Sequence, residues 1–165
     1  MVKKTIRFGA SFVAGLLLAV LVAFTRSEQP NFTGKWVMDA AKSEQSPLTP
    51  QTMIYTVRQE GNQITADRTV TSPNGESTAH LVWAIDGKPW KNQWKQGEIS
   101  VVGLSTLSWD GNTLVIKTAI SADGQDISQT DRWTLGADGK EMTVERSIDA
   151  GGQSLSAKIV MHKAS

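Results

Sequence analysis

Apolar and polar residues alternate with a period of two along most of the chain after residue 52. Met53, Tyr55 and Val57, for example, occupy alternate positions, and the same spacing recurs at 81–85, 114–120, 142–148 and 155–161. Successive side chains of a strand point to opposite faces, so this spacing predicts strands with one apolar and one mixed face. Such strands are typical of antiparallel sheets.

Turn signals separate these segments at intervals of about 10 to 15 residues, the rhythm of consecutive hairpins. Glycine next to Asn or Asp supplies the positive φ that tight hairpin turns require. The signals are Gly61-Asn62, Asn74-Gly75, Asp86-Gly87, Gly97, Asp110-Gly111-Asn112, Asp123-Gly124, Asp138-Gly139 and Gly151-Gly152.

The pattern predicts an all-β fold, an antiparallel up-and-down meander of about 8–10 strands. We place the first strand at Gly34–Asp39 and the last at Ser154–His162. The one long connection, Ala40–Gln51, contains two prolines and is predicted to hold a single helical turn at Ala40–Ser43. A meander of this length removes its exposed edges by closing, so we expect a barrel.

The first residues follow a different pattern, which predicts an apolar leader helix. Lys3, Lys4 and Arg7 precede an uncharged apolar run from Phe8 to Thr25. A basic start followed by such a run is typical of an export signal. Its length suits a cleaved signal peptide or a membrane anchor, and both fates stay open. We therefore predict a signal peptide or anchor over 1–27, a barrel domain over 28–165, and a periplasmic, secreted or membrane-tethered protein.

Composition narrows the function classes. The 165 residues fit one domain, and the absence of cysteine excludes disulfides, thiolate zinc sites and cysteine nucleophiles. The formal charge of +1 includes four basic residues in or beside the leader, so the remainder holds 13 basic and 16 acidic residues. A weakly acidic domain lacks the basic surface of a nucleic-acid binder. We predict no nucleic-acid partner and contact with a membrane only through the leader.

Three segments of the domain together resemble a known family. They are the run from Asn31 through Gly34-Lys35-Trp36 to Ala41-Lys42-Ser43, the segment Asp86-Gly87-Lys88-Pro89-Trp90, and the segment 138–144. In this order they are similar to small bacterial exported proteins with a lipocalin-like, calycin-type barrel, and the resemblance spans about residues 32 to 163. The expected ten strands also leave open a barrel like that of fatty-acid-binding proteins.

The resemblance implies roles for Gly34 and Trp36. In such barrels a Gly-x-Trp on the first strand closes the barrel floor, often beneath a basic side chain from a late strand. The alternative for Trp36 is a place in the lining of a ligand cavity. This lipocalin-like opening, the barrel pattern and the two arginines described next together motivate the hypothesis that the interior holds a small ligand.

Two arginines fall on apolar rows, which is where a ligand anchor would lie. Arg68 continues the row of Ile64 and Ala66, and Arg146 continues that of Met142 and Val144. A buried guanidinium must be paired, and a ligand carboxylate is one possible partner. The alternatives are exposure near a strand end, a place over Trp36, or pairing with one of three acids, Asp67, Asp131 and Glu145.

We predict a ligand site made of Arg68, Arg146, the Tyr55 hydroxyl and Trp83. Trp83 belongs to a group of tryptophans with Trp90, Trp94 and Trp109, which forms either core or an aromatic platform.

No catalytic residue, metal site or cofactor is predicted. His80 and His162 are the only histidines, and their spacing does not suggest a metal site.

Three functions remain in order of preference. The first is an exported barrel that binds a small apolar or amphipathic molecule, with or without a carboxylate. The second is a filled barrel that acts as a structural or adaptor protein of the envelope. The third is an enzyme with a histidine base. A cavity of several hundred Å³ would favour the first.

Overall fold

The computed structural model describes residues 29–73, 75–97, 99–122 and 125–165, so the predicted leader lies outside the described residues. Antiparallel strands make up most of the described part. They are β1 (Gly34–Met38), β2 (Thr52–Glu60), β3 (Gln63–Ser72), β4 (Gly75–Ala84), β5 (Trp90–Gln96), β6 (Ile99–Asp110), β7 (Thr113–Ala122), β8 (Gln125–Leu135), β9 (Glu141–Ala150) and β10 (Gln153–Lys163).

The ten strands close into one barrel, in which each pairs with its neighbours in sequence and β1 pairs with both β2 and β10. At the closure, Trp36 lies opposite Tyr55 of β2 and Lys163 of β10. This confirms the predicted all-β, antiparallel up-and-down barrel. The first and last strands agree with their predicted bounds to within one residue at each end.

The connection from β1 to β2 lies beside β10. The Ser43 amide donates to the Asp39 carbonyl (3.0 Å), which forms the helical turn predicted here. The Glu44 amide then donates to the Lys158 carbonyl (2.8 Å). Within the described ranges no helix is long and apolar enough to span a bilayer.

Aromatic side chains fill one end of the barrel. Phe32, fully buried just before β1, stacks on Trp109 with ring centroids 6.2 Å apart and meets the edge of Trp133 at 5.8 Å. Tyr55 and Trp83 also pack edge-on against Trp133, at 5.1 and 6.4 Å. Aromatic pairs at such separations contribute about 0.5–1.5 kcal/mol each beyond their buried area. Trp133 is therefore the centre of this end of the core.

The barrel wall has a seam between β4 and β5. The pair Ala79–Trp94 is the one backbone register pair between these two described strands, whereas β5 and β6 form seven. The buried side chain of Asn92 replaces further backbone bonds. Its Oδ1 accepts from the Val82 amide (2.8 Å) and its Nδ2 donates to the Val82 carbonyl (3.1 Å). We call the Ala79–Trp94 pair and the Asn92–Val82 bonds the seam.

Candidate functional site

Gly34 and Trp36 lie at the filled end of the barrel. Trp36 is fully buried, and its indole N–H donates to the Phe32 carbonyl (2.8 Å). The ammonium of Lys163, on the last strand, lies 5.4 Å from the centre of its ring. Gly34 has a φ of 149°, and a Cβ at this position would collide with Lys163 Cε. The absence of a side chain at Gly34 therefore leaves room for Lys163 to cover Trp36. Trp36 does not line the interior cavity, which is described next.

The barrel interior encloses a cavity of about 30 Å³. One water needs about 10–15 Å³ by this measure, so the cavity has room for about two waters. It is much smaller than the several hundred Å³ that a preformed ligand site was expected to show, because tryptophan and arginine side chains occupy the interior. The cavity is lined by Tyr55, Arg68, Leu81, Trp83, Trp94, Ser105, Ile116, Thr118, Ile120, Gln129, Asp131 and Trp133.

Arg146 is already paired inside the barrel. Its Nε donates to Asp131 Oδ1 (2.7 Å) and its Nη2 to Asp131 Oδ2 (3.2 Å), and both side chains are about nine-tenths buried. Gln129 Nε2 donates to the same carboxylate (2.8 Å). Burial disfavours the charged guanidinium, but the charge and hydrogen bonds of Asp131, with a smaller effect of Tyr55, outweigh it and raise the Arg146 pKa.

The structure thus places Arg146 on one of the three acids that the sequence left open. Its charge is compensated by Asp131 before any ligand binds. Arg146 does not line the cavity, although its partner Asp131 does. This geometry therefore does not favour the predicted role of Arg146 as a direct ligand anchor. Arg146 instead positions Asp131.

Arg68 has no such partner. It lies opposite Tyr55 on one side and Ala79 on the other, and Ala79 lies opposite Trp94. Because Ala79 is small, the Arg68 guanidinium reaches across it, and its Cζ lies 5.5 Å from the centre of a Trp94 ring. The Arg68 Nε is buried without a hydrogen-bond partner, and no described carboxylate forms an ion pair with this side chain.

Two indole N–H groups share this condition. Trp83 Nε1 and Trp133 Nε1 are buried, and neither has a hydrogen-bond partner among the described residues. Trp83 is 3% exposed and Trp133 is 1% exposed. Both residues line the same cavity as Arg68. Buried donors without a hydrogen-bond partner are rare in folded proteins, and here three of them belong to residues that line one cavity.

Sequence reasoning did not assign Trp133 and Asp131 to the ligand site. Thr130-Asp131-Arg132-Trp133 has a partial resemblance to a lipocalin motif, and Asp131 was only one candidate partner for the arginines. The signal that identifies them is alternation. Gln129, Asp131 and Trp133 occupy alternate positions of β8, and all three line the cavity.

Neither histidine lies in the interior. His80 and His162 are both exposed, and His80 Nδ1 lies 2.6 Å from the exposed Asp67 carboxylate on the outer surface. No cluster of three potential metal ligands occurs within the described ranges. The structure therefore offers no histidine base at the interior cavity.

No family model matches this chain, and no curated protein sequence matches it. Solved structures do share its fold. One is zebrafish ileal bile acid-binding protein in complex with cholic acid, with a TM-score of 0.53 and 15% identity over 81% of this chain and 98% of that one. A secretory abundant heat soluble protein from Ramazzottius varieornatus has a TM-score of 0.54 and 15% identity over 82% and 98% of the two chains.

Secretory abundant heat soluble protein 4 of the same organism has a TM-score of 0.54 and 13% identity, over 84% of this chain and 99% of that one. Identities this low establish a shared fold alone. Together with the strand order, these similarities show that the chain has a lipocalin-like, calycin-type barrel fold.

Proposed function

We propose that this protein binds a small amphipathic carboxylate inside its barrel, with Arg68 at the carboxylate. The observation that carries the proposal is the set of three buried donors without partners around one cavity, on Arg68, Trp83 and Trp133. Water could satisfy the three donors, but only an anion also pairs with the positive charge of Arg68. A carboxylate supplies both acceptors and a negative charge.

The charges around the cavity support an anion. Arg68 and Asp131 are the charged residues that line it, and Asp131 is neutralised by Arg146. One positive charge therefore remains at the cavity. A hydrogen bond to a charged group is worth about 1.5–3 kcal/mol, so pairing Arg68 would contribute substantially to binding.

The apolar part of the ligand has aromatic surroundings. Four aromatic residues line the cavity, and three aliphatic residues complete its apolar lining: Tyr55, Trp83, Trp94 and Trp133, with Leu81, Ile116 and Ile120. Since the enclosed volume is about 30 Å³, a ligand larger than a few atoms must displace a side chain. The bile acid-binding neighbour adds support, because a barrel of this fold is recorded there with cholic acid.

We also propose that the protein acts after export. The support is the basic and then apolar pattern of residues 1–27. Cleavage would release the barrel, and an intact leader would tether it.

Native mass spectrometry after fractionation of the source cells tests both proposals. We expect the protein outside the cytoplasm, with a fraction carrying one small carboxylate per barrel. Removing bound molecules and titrating with decanoate or cholate should restore a complex with one ligand per barrel. An empty barrel that takes up neither probe would contradict ligand binding, and full-length protein in the cytoplasm would contradict export.

The small cavity also favours a second function, that of a filled barrel acting as an adaptor. In that case the interior donors are satisfied by two waters, and the outer surface binds a partner. The same titration decides between the two, because a filled barrel forms no complex with either probe.

A further inference from the structure

An open groove of about 520 Å³ lies on the outside of the barrel wall at the seam. Arg68 and Trp94 line both this groove and the interior cavity, and they are the two residues that the two linings share. The Arg68–Trp94 contact therefore separates the interior from the outside.

Trp94 occupies a position prepared for a large side chain. Gly103 of β6 lies beside it, and a Cβ on Gly103 would approach Trp94 Cη2 and Thr118 Cγ2 to 2.8 Å each. Real Cβ atoms do not come so close to their neighbours, so any side chain at 103 would displace the indole. The Trp94 ring fills the space that a side chain at position 103 would occupy.

Strand β5, which carries Trp94, is joined to β4 largely through side-chain hydrogen bonds. Beside the single Ala79–Trp94 register pair, Asn92 bonds to Val82. Ser77 Oγ donates to the Lys95 carbonyl (2.6 Å). Breaking these bonds leaves the backbone ladders on both sides of the seam in place. Among the junctions between described neighbouring strands, the seam has the fewest backbone register pairs.

The outer groove carries groups that suit a polar, anionic head. Besides Arg68, it is lined by Lys95, by the hydrogen-bonded pair of His80 Nδ1 and Asp67 Oδ1 (2.6 Å), and by the Gln93 side chain. The acidic residue of the groove is Asp67, which is paired with His80. Arg68 and Lys95 therefore have no ion-pair partner among the described residues.

We infer that the ligand crosses the wall at the seam, and that the groove is the first subsite for its anionic head. In this arrangement the Trp94 indole leaves its place beside Gly103 and the apolar part of the ligand takes that space. The carboxylate first occupies the groove between Arg68 and Lys95, and then passes Trp94 to reach the interior donors. This inference rests on the proposed function, and it specifies where the head first binds and how the ligand passes.

The first test uses single variants and stopped-flow mixing with decanoate. Trp94→Ala should raise both the association and the dissociation rate by about tenfold, because the indole no longer blocks the passage through the seam. Lys95→Gln should slow association about two- to fivefold, because it removes an exposed charge that holds the carboxylate on its way in. Lys117→Gln, on the exposed face of β7 outside the groove, should bind like the parent protein.

The second test does not depend on how Trp94→Ala folds. The chain has no cysteine, so a pair introduced as His80→Cys and Gln93→Cys can be bridged across the seam by a short bis-methanethiosulfonate cross-linker, which forms a disulfide with each thiol and releases methanesulfinate. Bridging should slow decanoate association by about tenfold or more relative to the reduced form. A control bridge between Lys117→Cys and Thr130→Cys, on the fully paired β7 and β8, should leave the rate unchanged.

The outcomes separate this inference from the proposed function. If the parent protein does not bind decanoate, the proposed function fails. If it binds, but the bridged seam and Lys95→Gln leave the association rate unchanged, the inference is overturned and interior binding stands.

Discussion

Replacing Asp131 with alanine is expected to lower the free energy of unfolding by about 3–5 kcal/mol. The change leaves the Arg146 guanidinium buried with its Nε and Nη2 donors unpaired, where they now bond to the carboxylate at 2.7 and 3.2 Å. Breaking a buried pair on one side costs far more than the pair contributes, because an uncompensated charge stays inside the barrel. Urea unfolding followed by tryptophan fluorescence measures the loss.

The matched control removes both charges. Asp131→Leu combined with Arg146→Met replaces the ion pair by apolar side chains of similar size, and it should cost much less than Asp131→Ala alone. Equal stability of the single and the double variant would mean that Arg146 finds another partner when Asp131 is lost. That result would contradict the view that Asp131 alone compensates the Arg146 charge.

Replacing Trp36 with alanine is expected to cost about 3–5 kcal/mol, the range for large buried aromatic residues. The side chain is fully buried at the filled end of the barrel, and its loss leaves both a cavity and an unpaired Phe32 carbonyl. It also removes the ring beneath the Lys163 ammonium. Because Trp36 does not line the interior cavity, decanoate affinity should stay the same at temperatures where the variant is folded.

Lys163→Met separates the two contributions at this end of the barrel. It removes the charge over the ring and keeps much of the aliphatic contact. Since Lys163 is exposed, we expect a loss of about 0.5–1 kcal/mol. Urea unfolding of both variants at one pH gives the comparison. A Trp36→Ala protein with the stability of Lys163→Met would show that burial of the indole contributes little here.

The fold could be predicted because it follows from local signals. Period-two alternation and the glycine-containing turns identify strands and hairpins one at a time, and consecutive hairpins leave few arrangements other than a closed meander. The structure confirms ten strands and the closure of β1 on β10. Phe32 gives no such local signal, because its place against Trp109 and Trp133 depends on contacts far away in sequence.

The candidate site shows the limit of the same reasoning. Arg68 and Arg146 give identical signals, since each continues an apolar row. The register across β8 and β9 places Asp131 beside Arg146, whereas Arg68 meets Tyr55 and Ala79 on its neighbouring strands. Alternation assigns a face to each side chain but does not say which residue lies across from it.

The cavity volume could not be predicted for a related reason. It depends on how the rings of Trp83, Trp94 and Trp133 fill the interior, and on Gly103, whose missing side chain admits Trp94. A glycine inside a strand indicates a close approach, but not which side chain approaches it.

The central claim is that the uncompensated charge of Arg68 binds a carboxylate. The most direct measurement is calorimetric titration of the parent protein and Arg68→Met with decanoate and with decan-1-ol, which share the chain length and differ in charge. Arg58→Met, an exposed arginine on β2, is the control. We predict that the parent and the control prefer decanoate by about 10–100-fold, and that Arg68→Met loses this preference but binds decan-1-ol as before. An equal preference for decanoate in the parent and in Arg68→Met would contradict the account.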